Sequence, residues 1–140
     1  MAKTFTAQLE AFRDMTVKNM RYVAASAIQD VLETAQTPVL GVSKGGTFEV
    51  GKMPVAEATL INSLSVEGGG TGQDAYVTAI SGLEIGDVLR FRWTAPYALP
   101  IELGWTTSTG RNVPGRHMVG MAAARFVPEF VPARVAEVKR

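Results

Sequence analysis

Apolar side chains recur at spacings of three and four residues between Thr4 and Gln36. This periodicity predicts one long amphipathic helix, whose start Thr4 or Thr6 can cap. Pro38 ends the helix, because the residue before a proline is biased away from helical backbone angles. The helix is interpreted as lying across a sheet, with a coiled-coil partner as the alternative. The apolar stripe consists of Phe5, Leu9, Phe12, Thr16, Met20, Val23, Ala27 and Val31.

Alternating apolar and polar residues predict strands over 60–66, 75–81 and 88–94. In "VLRFRW", Phe91 and Trp93 share one side of the strand, as in a half-buried antiparallel sheet. Arg90 and Arg92 share the other side. These two arginines are interpreted as a solvated face or as cross-strand partners of acidic residues. The alternative is a subunit salt bridge or a charge that faces DNA.

Segments rich in glycine, serine and threonine predict flexible loops at about 37–52, 67–74 and 105–115. The run "EGGGTGQDA" is predicted to join two strands. A phosphate-binding role for it is rejected, because a phosphate cradle needs a helix after the glycines and "YVTAIS" favours a strand.

The C-terminal part begins with a second helix, predicted over 118–126. Pro128 and Pro132 predict that the arm 127–140 is extended or a broken turn, with a short terminal helix possible at its end. The order of helix, strands and helix predicts a single domain over 1–140 of the α+β class. In it, the long N-terminal helix packs on an antiparallel sheet and a second helix lies near the C-terminus.

The amino-acid composition limits the classes of function that fit this chain. Charged residues make up 19% of the chain, below the average of about 25% for soluble domains, which indicates faces covered by partners. The net charge of +1 gives no electrostatic footprint for nucleic acid. No cysteine is present, so disulfides and thiolate metal sites are excluded and a reducing cytoplasm suits the chain. No run of 18 apolar residues and no secretion signal is found.

Catalytic motifs are not found in the sequence. His117 is the only histidine, and neither a G-x-S-x-G elbow nor an HExxH motif accompanies it. The expectation is therefore no enzyme, no cofactor and no metal site. His117 is interpreted as a loop or helix-start residue bonded locally, and alternatively as part of a subunit contact. The grouped aromatics Trp93, Tyr97 and Trp105 are interpreted as core and hinge residues, and alternatively as interface anchors.

Glu102 stands between Ile101 and Leu103 in the stretch "TAPYALPIELGWTTSTGR". A carboxylate among apolar residues is costly unless hydrogen bonds offset its burial. The segment 97–103 is therefore predicted to be a structural corner, either a short helical turn or a strand end. The Glu102 carboxylate is predicted to accept hydrogen bonds from backbone N–H groups or from Arg116.

The stretches "APYALPIELGWTTSTGR" and "VPGRHMVGMAAARF" resemble the gene-product-10-like neck, or tail-completion, family of long-tailed bacteriophages. The resemblance extends upstream to "MPVAEATLINSL" and so covers nearly the whole chain, through short motifs. The matching positions are Tyr97-Ala98, Glu102 with Gly104, Pro114-Gly115-Arg116, Pro54-Val55, Thr59-Leu60 and Ser63.

This resemblance implies a structural protein of the virion neck. It would form a homo-oligomeric ring, a hexamer, that completes the tail end and joins it to the head connector while leaving a channel for DNA. Implied partners are head-side connector or adaptor proteins, tail terminator or tail tube proteins and the passing genomic DNA, with no membrane. Assembly would take place in the host cytoplasm. The alternatives are a tail terminator ring protein and, in another class, a nucleic-acid-binding module.

Two sets of candidate residues follow from these expectations. The structural or interface candidates are Tyr97, Glu102, Trp105, Arg116, His117, Phe126 and Phe130. The candidates for the channel lumen or for partner loops are Lys44, Lys52, Arg90, Arg92 and Arg111.

Overall fold

A computed structural model describes residues 4–56 and 58–139. The α-helices in this part of the chain are α1 (Phe5–Ala35), α2 (Thr59–Asn62), α3 (Ala75–Ser81), α4 (Ala98–Leu103), α5 (Met118–Ala124) and α6 (Val131–Val138). The strands are β1 (Pro38–Leu40), β2 (Met53–Val55), β3 (Leu64–Val66), β4 (Phe91–Trp93), β5 (Gly104–Thr106) and β6 (Asn112–Pro114). A 3-10 turn covers Val42–Lys44 and a π-helical turn covers Phe126–Phe130.

The predicted α+β class is confirmed, with the long N-terminal helix, antiparallel strand pairs and a C-terminal helix. The strands pair two by two instead of forming one sheet. β3 with β4 and β5 with β6 are antiparallel, whereas β1 and β2 are parallel. Each strand has three residues, so helices and turns supply most of the packing surface around them.

The long helix α1 matches the predicted bounds closely. Thr4 caps it, since the Thr4 hydroxyl accepts a hydrogen bond from the Ala7 N–H at 3.1 Å. Only its second half is packed, where Ala27, Leu32 and Ala35 are buried and α3, α5 and α6 make contact. The interpretation of a helix lying across a sheet is therefore wrong for the first half.

The apolar core consists of two clusters that meet at Trp93. Its indole N–H donates to the Gln36 side-chain oxygen at 2.8 Å, and the Gln36 amide nitrogen donates to the Ile61 carbonyl at 2.9 Å. These bonds satisfy a buried amide, which would otherwise destabilise the core. One cluster contains Met53, Leu60, Ile61, Ala95 and Met118, and the other contains Leu32, Leu64, Tyr76 and Ile80.

The strand predicted over 75–81 is wrong, because this segment is helix α3. Tyr76 and Ile80 are four residues apart, so a helix places both on one face, where they pack with Leu32 and Leu64. The glycine-rich loop before α3 therefore does not join two strands. A helix and not a strand follows the glycines, so a following strand does not exclude phosphate binding there, although Asp74 at the start of the helix is itself acidic.

Four further predicted segments are shorter or more structured than expected. In 60–66, Leu60 and Ile61 are both buried within α2, and only β3 is extended. In 88–94, only β4 is extended. The loop predicted over 105–115 contains most of the β5–β6 hairpin, and the loop predicted over 37–52 contains β1 and a 3-10 turn.

The C-terminal arm is helical, which corrects the extended arm or broken turn predicted from its two prolines. Pro132 lies in the first turn of α6, where its missing N–H costs nothing. The arm packs on α1 through a two-bond ion pair, in which Arg134 donates to Asp30 at 2.8 and 3.0 Å. These bonds raise the pKa of the Arg134 guanidinium. The pair is mostly buried, with side chains 29% and 18% exposed.

We expect Arg134→Met to lower the free energy of unfolding by about 1.5–3 kcal/mol, because it leaves the Asp30 carboxylate without its guanidinium partner. Urea unfolding monitored by circular dichroism measures the change. Arg125→Met is the matched control: its ion pair with Glu129 is more exposed, so a smaller loss of about 1 kcal/mol or less is expected. Equal losses in the two variants would contradict a special role for the Arg134 contact.

Candidate functional site

The segment predicted to be a structural corner is helix α4, and its Glu102 caps another helix. The two carboxylate oxygens of Glu102 accept hydrogen bonds from the N–H groups of Val119 and Gly120 at 3.0 and 2.8 Å. Both N–H groups lie in the first turn of α5, where the preceding His117 offers no side-chain cap. Of the two predicted partners, the structure shows the backbone amides, and the contact couples α4 to α5.

Two glycines allow the chain to cross α4 closely. Gly104 has a φ of 91°, which residues with a side chain rarely adopt. At Gly115, a Cβ would lie 2.4 Å from the Glu102 carbonyl oxygen, so no side chain fits. This close approach lets the Arg116 N–H donate to the Ile101 carbonyl at 2.8 Å. The arginine side chain is thereby placed beside α4.

We expect Glu102→Ala to lower the free energy of unfolding by roughly 1–2 kcal/mol, because two orphan N–H groups of α5 lose their acceptor. Glu102→Gln keeps one acceptor oxygen, so it should lose less. Thermal and urea unfolding measure both effects, and Glu129→Ala, which removes an exposed i,i+4 pair, serves as the control. An unchanged melting temperature for Glu102→Ala would contradict the capping role.

A groove of about 700 Å³ opens next to this corner. We call it the Arg116 groove. Its walls are mostly apolar, and among the described lining residues two are arginines and none is acidic. Tyr97 and Trp105 line it and are exposed, so the interpretation of both as core residues is wrong. The lining includes Phe48, Pro54, Leu60, Tyr97, Ile101, Trp105, Arg111, Val113 and Arg116.

Arg116 carries a buried positive charge, and one of its nitrogens has no hydrogen-bond acceptor among the described residues. The residue is 7% exposed, and its guanidinium carbon lies 4.6 Å from the centre of the Phe48 ring. Its Nη1 atom is shielded from solvent, and no described residue accepts a hydrogen bond from it. Burial lowers the pKa of the guanidinium, and the Glu49 carboxylate partly opposes this shift. An arginine nonetheless stays protonated in proteins, so the charge remains.

We expect Arg116→Met to fold with an unfolding free energy no more than about 1 kcal/mol below that of the wild type, because it removes one cation–π contact together with an unpaired buried charge. Removing one member of a paired buried ion pair costs about 3–5 kcal/mol instead. Urea unfolding distinguishes the two cases. A loss of the larger size would mean that the guanidinium has acceptors that hold the fold.

The other interface candidates lie apart from the groove lining. His117 is exposed at the start of α5 with a φ of 50°, and its N–H donates to the Glu102 carbonyl at 3.1 Å. Phe126 and Phe130 lie in the π-helical turn. Phe126 lines a second cavity of about 340 Å³ beside α1, and the Phe130 ring lies 4.7 Å below the Arg125 guanidinium.

The basic candidates do not all share one surface. Arg111 alone among them lines the Arg116 groove. Arg90 pairs with Glu67 at 3.5 Å, a cross-strand partner of the predicted kind, and the neighbouring Arg92 is exposed. Lys52 pairs with Glu49 at 3.3 Å. Lys44 ends the exposed 3-10 turn.

The structure also shows an exposed apolar surface on α1. The sequence pattern did not predict that this surface is exposed. Along the first half of α1, Phe5 is 74% and Phe12 is 64% exposed, and Leu9 and Met20 are also exposed. These four residues continue the face on which Ala27 is buried, since Ala27 follows Leu9 by about five helical turns. We call them the α1 stripe. Their spacing was visible in the sequence, but which half of the helix the core covers was not.

Groups of three or more possible metal ligands are not found among residues 4–56 and 58–139. In the same residues, no helix combines the length and apolarity needed to span a membrane. Comparison with protein-family models, curated proteins and solved structures returned no match.

Proposed function

We propose that this chain is a structural subunit of a bacteriophage neck, where copies of it form a ring that joins tail to head and leaves a passage for DNA. The observation that carries the proposal is the α1 stripe. A surface helix of a globular protein normally turns its apolar face toward the core. Here, four large apolar side chains on one face have no cover from the described part of the chain.

The α1 stripe favours a protein partner because of its size and composition. Large contiguous apolar patches on a folded protein mark interaction surfaces. Phe and Met are enriched at the centres of protein interfaces, whereas charged residues are depleted there. The stripe also lies on the side of α1 that carries Asp30, to which Arg134 of α6 donates a hydrogen bond. A neighbouring subunit would extend the same packing toward the N-terminus.

Two sequence features support a neck ring in particular. The motifs around Tyr97, Glu102 and Arg116 resemble those of the neck family. The low share of charged residues, 19%, suits a chain whose faces are covered in an assembly. We propose accordingly that the chain is located in the virion neck and contacts connector proteins on the head side and tail proteins on the other side.

We expect the purified chain to associate beyond its mass of 15.0 kDa as concentration rises, and Phe12→Glu to weaken that association at least tenfold, because it places a charge in the apolar contact. Light scattering after size exclusion, over a concentration series, measures both. Electron microscopy of the largest species should show a closed ring with a central channel.

Ala11→Glu is the control, since Ala11 is exposed next to Phe12 but lies off the α1 stripe. Both variants change exposed residues, so their unfolding free energies should stay within about 0.5 kcal/mol of the wild type. A chain that stays at 15.0 kDa at every concentration, or equal effects of the two variants, would contradict the proposal. Tight DNA binding that falls steeply with salt would instead favour the nucleic-acid-binding alternative.

A further inference from the structure

We propose that the Arg116 groove binds an acidic segment of a second copy of this chain, namely the exposed turn 84–88. The contact would join two different surfaces of neighbouring subunits, and it rests on the proposed function because it names a contact within the ring. The proposal is carried by the buried Nη1 atom of the Arg116 guanidinium, which has no hydrogen-bond acceptor among the described residues.

The groove is built for an anion attached to an apolar group. Burying an unpaired charge is costly, and an entering carboxylate offsets the cost through charge-assisted hydrogen bonds. Arg111 adds a second positive charge, and no described lining residue is acidic. The remaining wall, with Leu60, Ile101 and Val113, is apolar and suits an aliphatic side chain.

The turn 84–88 offers the matching chemistry. Residues 84–88 are all exposed, with Ile85 at 46% and Val88 at 77%. The Glu84 carboxylate is 72% exposed, and its ion pair with Arg21 is long, at 4.0 Å. Asp87 is already engaged within the turn, where it accepts a hydrogen bond from the Glu84 N–H at 2.9 Å. Glu84 is therefore the carboxylate that the turn can present to a neighbour.

Three other exposed carboxylates are held in shorter ion pairs than the 4.0 Å between Glu84 and Arg21. Asp14, Glu67 and Glu129 have arginine partners at 3.1, 3.5 and 2.8 Å. The turn and the Arg116 groove share no residues. Each subunit can therefore offer its turn to one neighbour and its groove to another. A contact between two different surfaces repeats from copy to copy, and it closes into a ring when the rotation between copies allows.

The first test is a titration of the Phe12→Glu chain with the acetylated, amidated peptide Gly-Leu-Glu-Ile-Gly-Asp-Val, which is residues 82–88. The indole N–H resonance of Trp105, assigned with Trp105→Phe, reports binding by NMR. We expect saturation, and at least tenfold weaker binding for the peptide with Gln in place of Glu84 and for the chain with Arg116→Met. No shift up to about 5 mM peptide, or equal binding of both peptides, would overturn the proposal.

The second test exchanges the charges in the full chain. Glu84→Arg and Arg111→Glu alone should each weaken association at least tenfold by sedimentation velocity, and the double variant should recover most of it. Arg92→Glu makes the same charge change outside the groove and should leave association within threefold of the wild type. Additive losses in the double variant would overturn the contact.

The two proposals fail in different ways. If the chain associates through the α1 stripe but neither test shows the groove contact, only the further inference is lost. If the peptide binds a chain that never associates, the groove still accepts a carboxylate. A second copy is then excluded as its occupant, and both proposals are overturned.

Discussion

The first half of α1 carries large apolar side chains that the described chain leaves exposed, and the proposed association of subunits depends on this constraint. The core of the described chain has two small clusters, and the cluster with Leu32 includes the second half of the helix. The helix is about 46 Å long at 1.5 Å per residue, and its 31 residues therefore extend beyond these clusters. Phe5 and Phe12 are exposed in the described chain, and any partner that covers them would remove apolar area from water, which is stabilising.

The region of Glu102 and Arg116 shows how close backbone packing creates a site. Gly104 and Gly115 let the end of the β5–β6 hairpin pass against the end of α4. The same crossing places the Glu102 carboxylate on α5 and the Arg116 side chain in the groove wall. The carboxylate and the guanidinium therefore serve separate contacts, although they are near enough in sequence to suggest a pair. A paired Arg116 would close the groove to an anion, whereas the observed arrangement leaves its charge available.

The sequence predicted elements where a pattern was long or chemically specific. Eight periodic positions defined α1, and an acid between two apolar residues pointed to a carboxylate with backbone donors. Seven residues over 75–81 fitted both a strand and a helix, because Tyr76 and Ile80 share a face in either. The segment is a helix in the structure, where both residues pack against Leu32. The burial of Arg116 depends on Phe48, 68 positions earlier by residue number, and no local pattern reveals a contact of that range.

Arg21 links the α1 stripe to the turn 84–88, so the positions of these two proposed contact surfaces depend on each other. Its guanidinium donates to the carbonyls of Ser81 and Leu83, so the turn 84–88 is fixed to the middle of α1. A subunit that inserts this turn into its neighbour's groove therefore also fixes the direction of its own α1. Symmetric pairing of two α1 stripes would produce only dimers, whereas pairing between different surfaces repeats around an axis. In a ring, the α1 stripe would therefore meet a different surface of the neighbouring subunit, and the bonds from Arg21 fix the turn 84–88 relative to the stripe within each subunit.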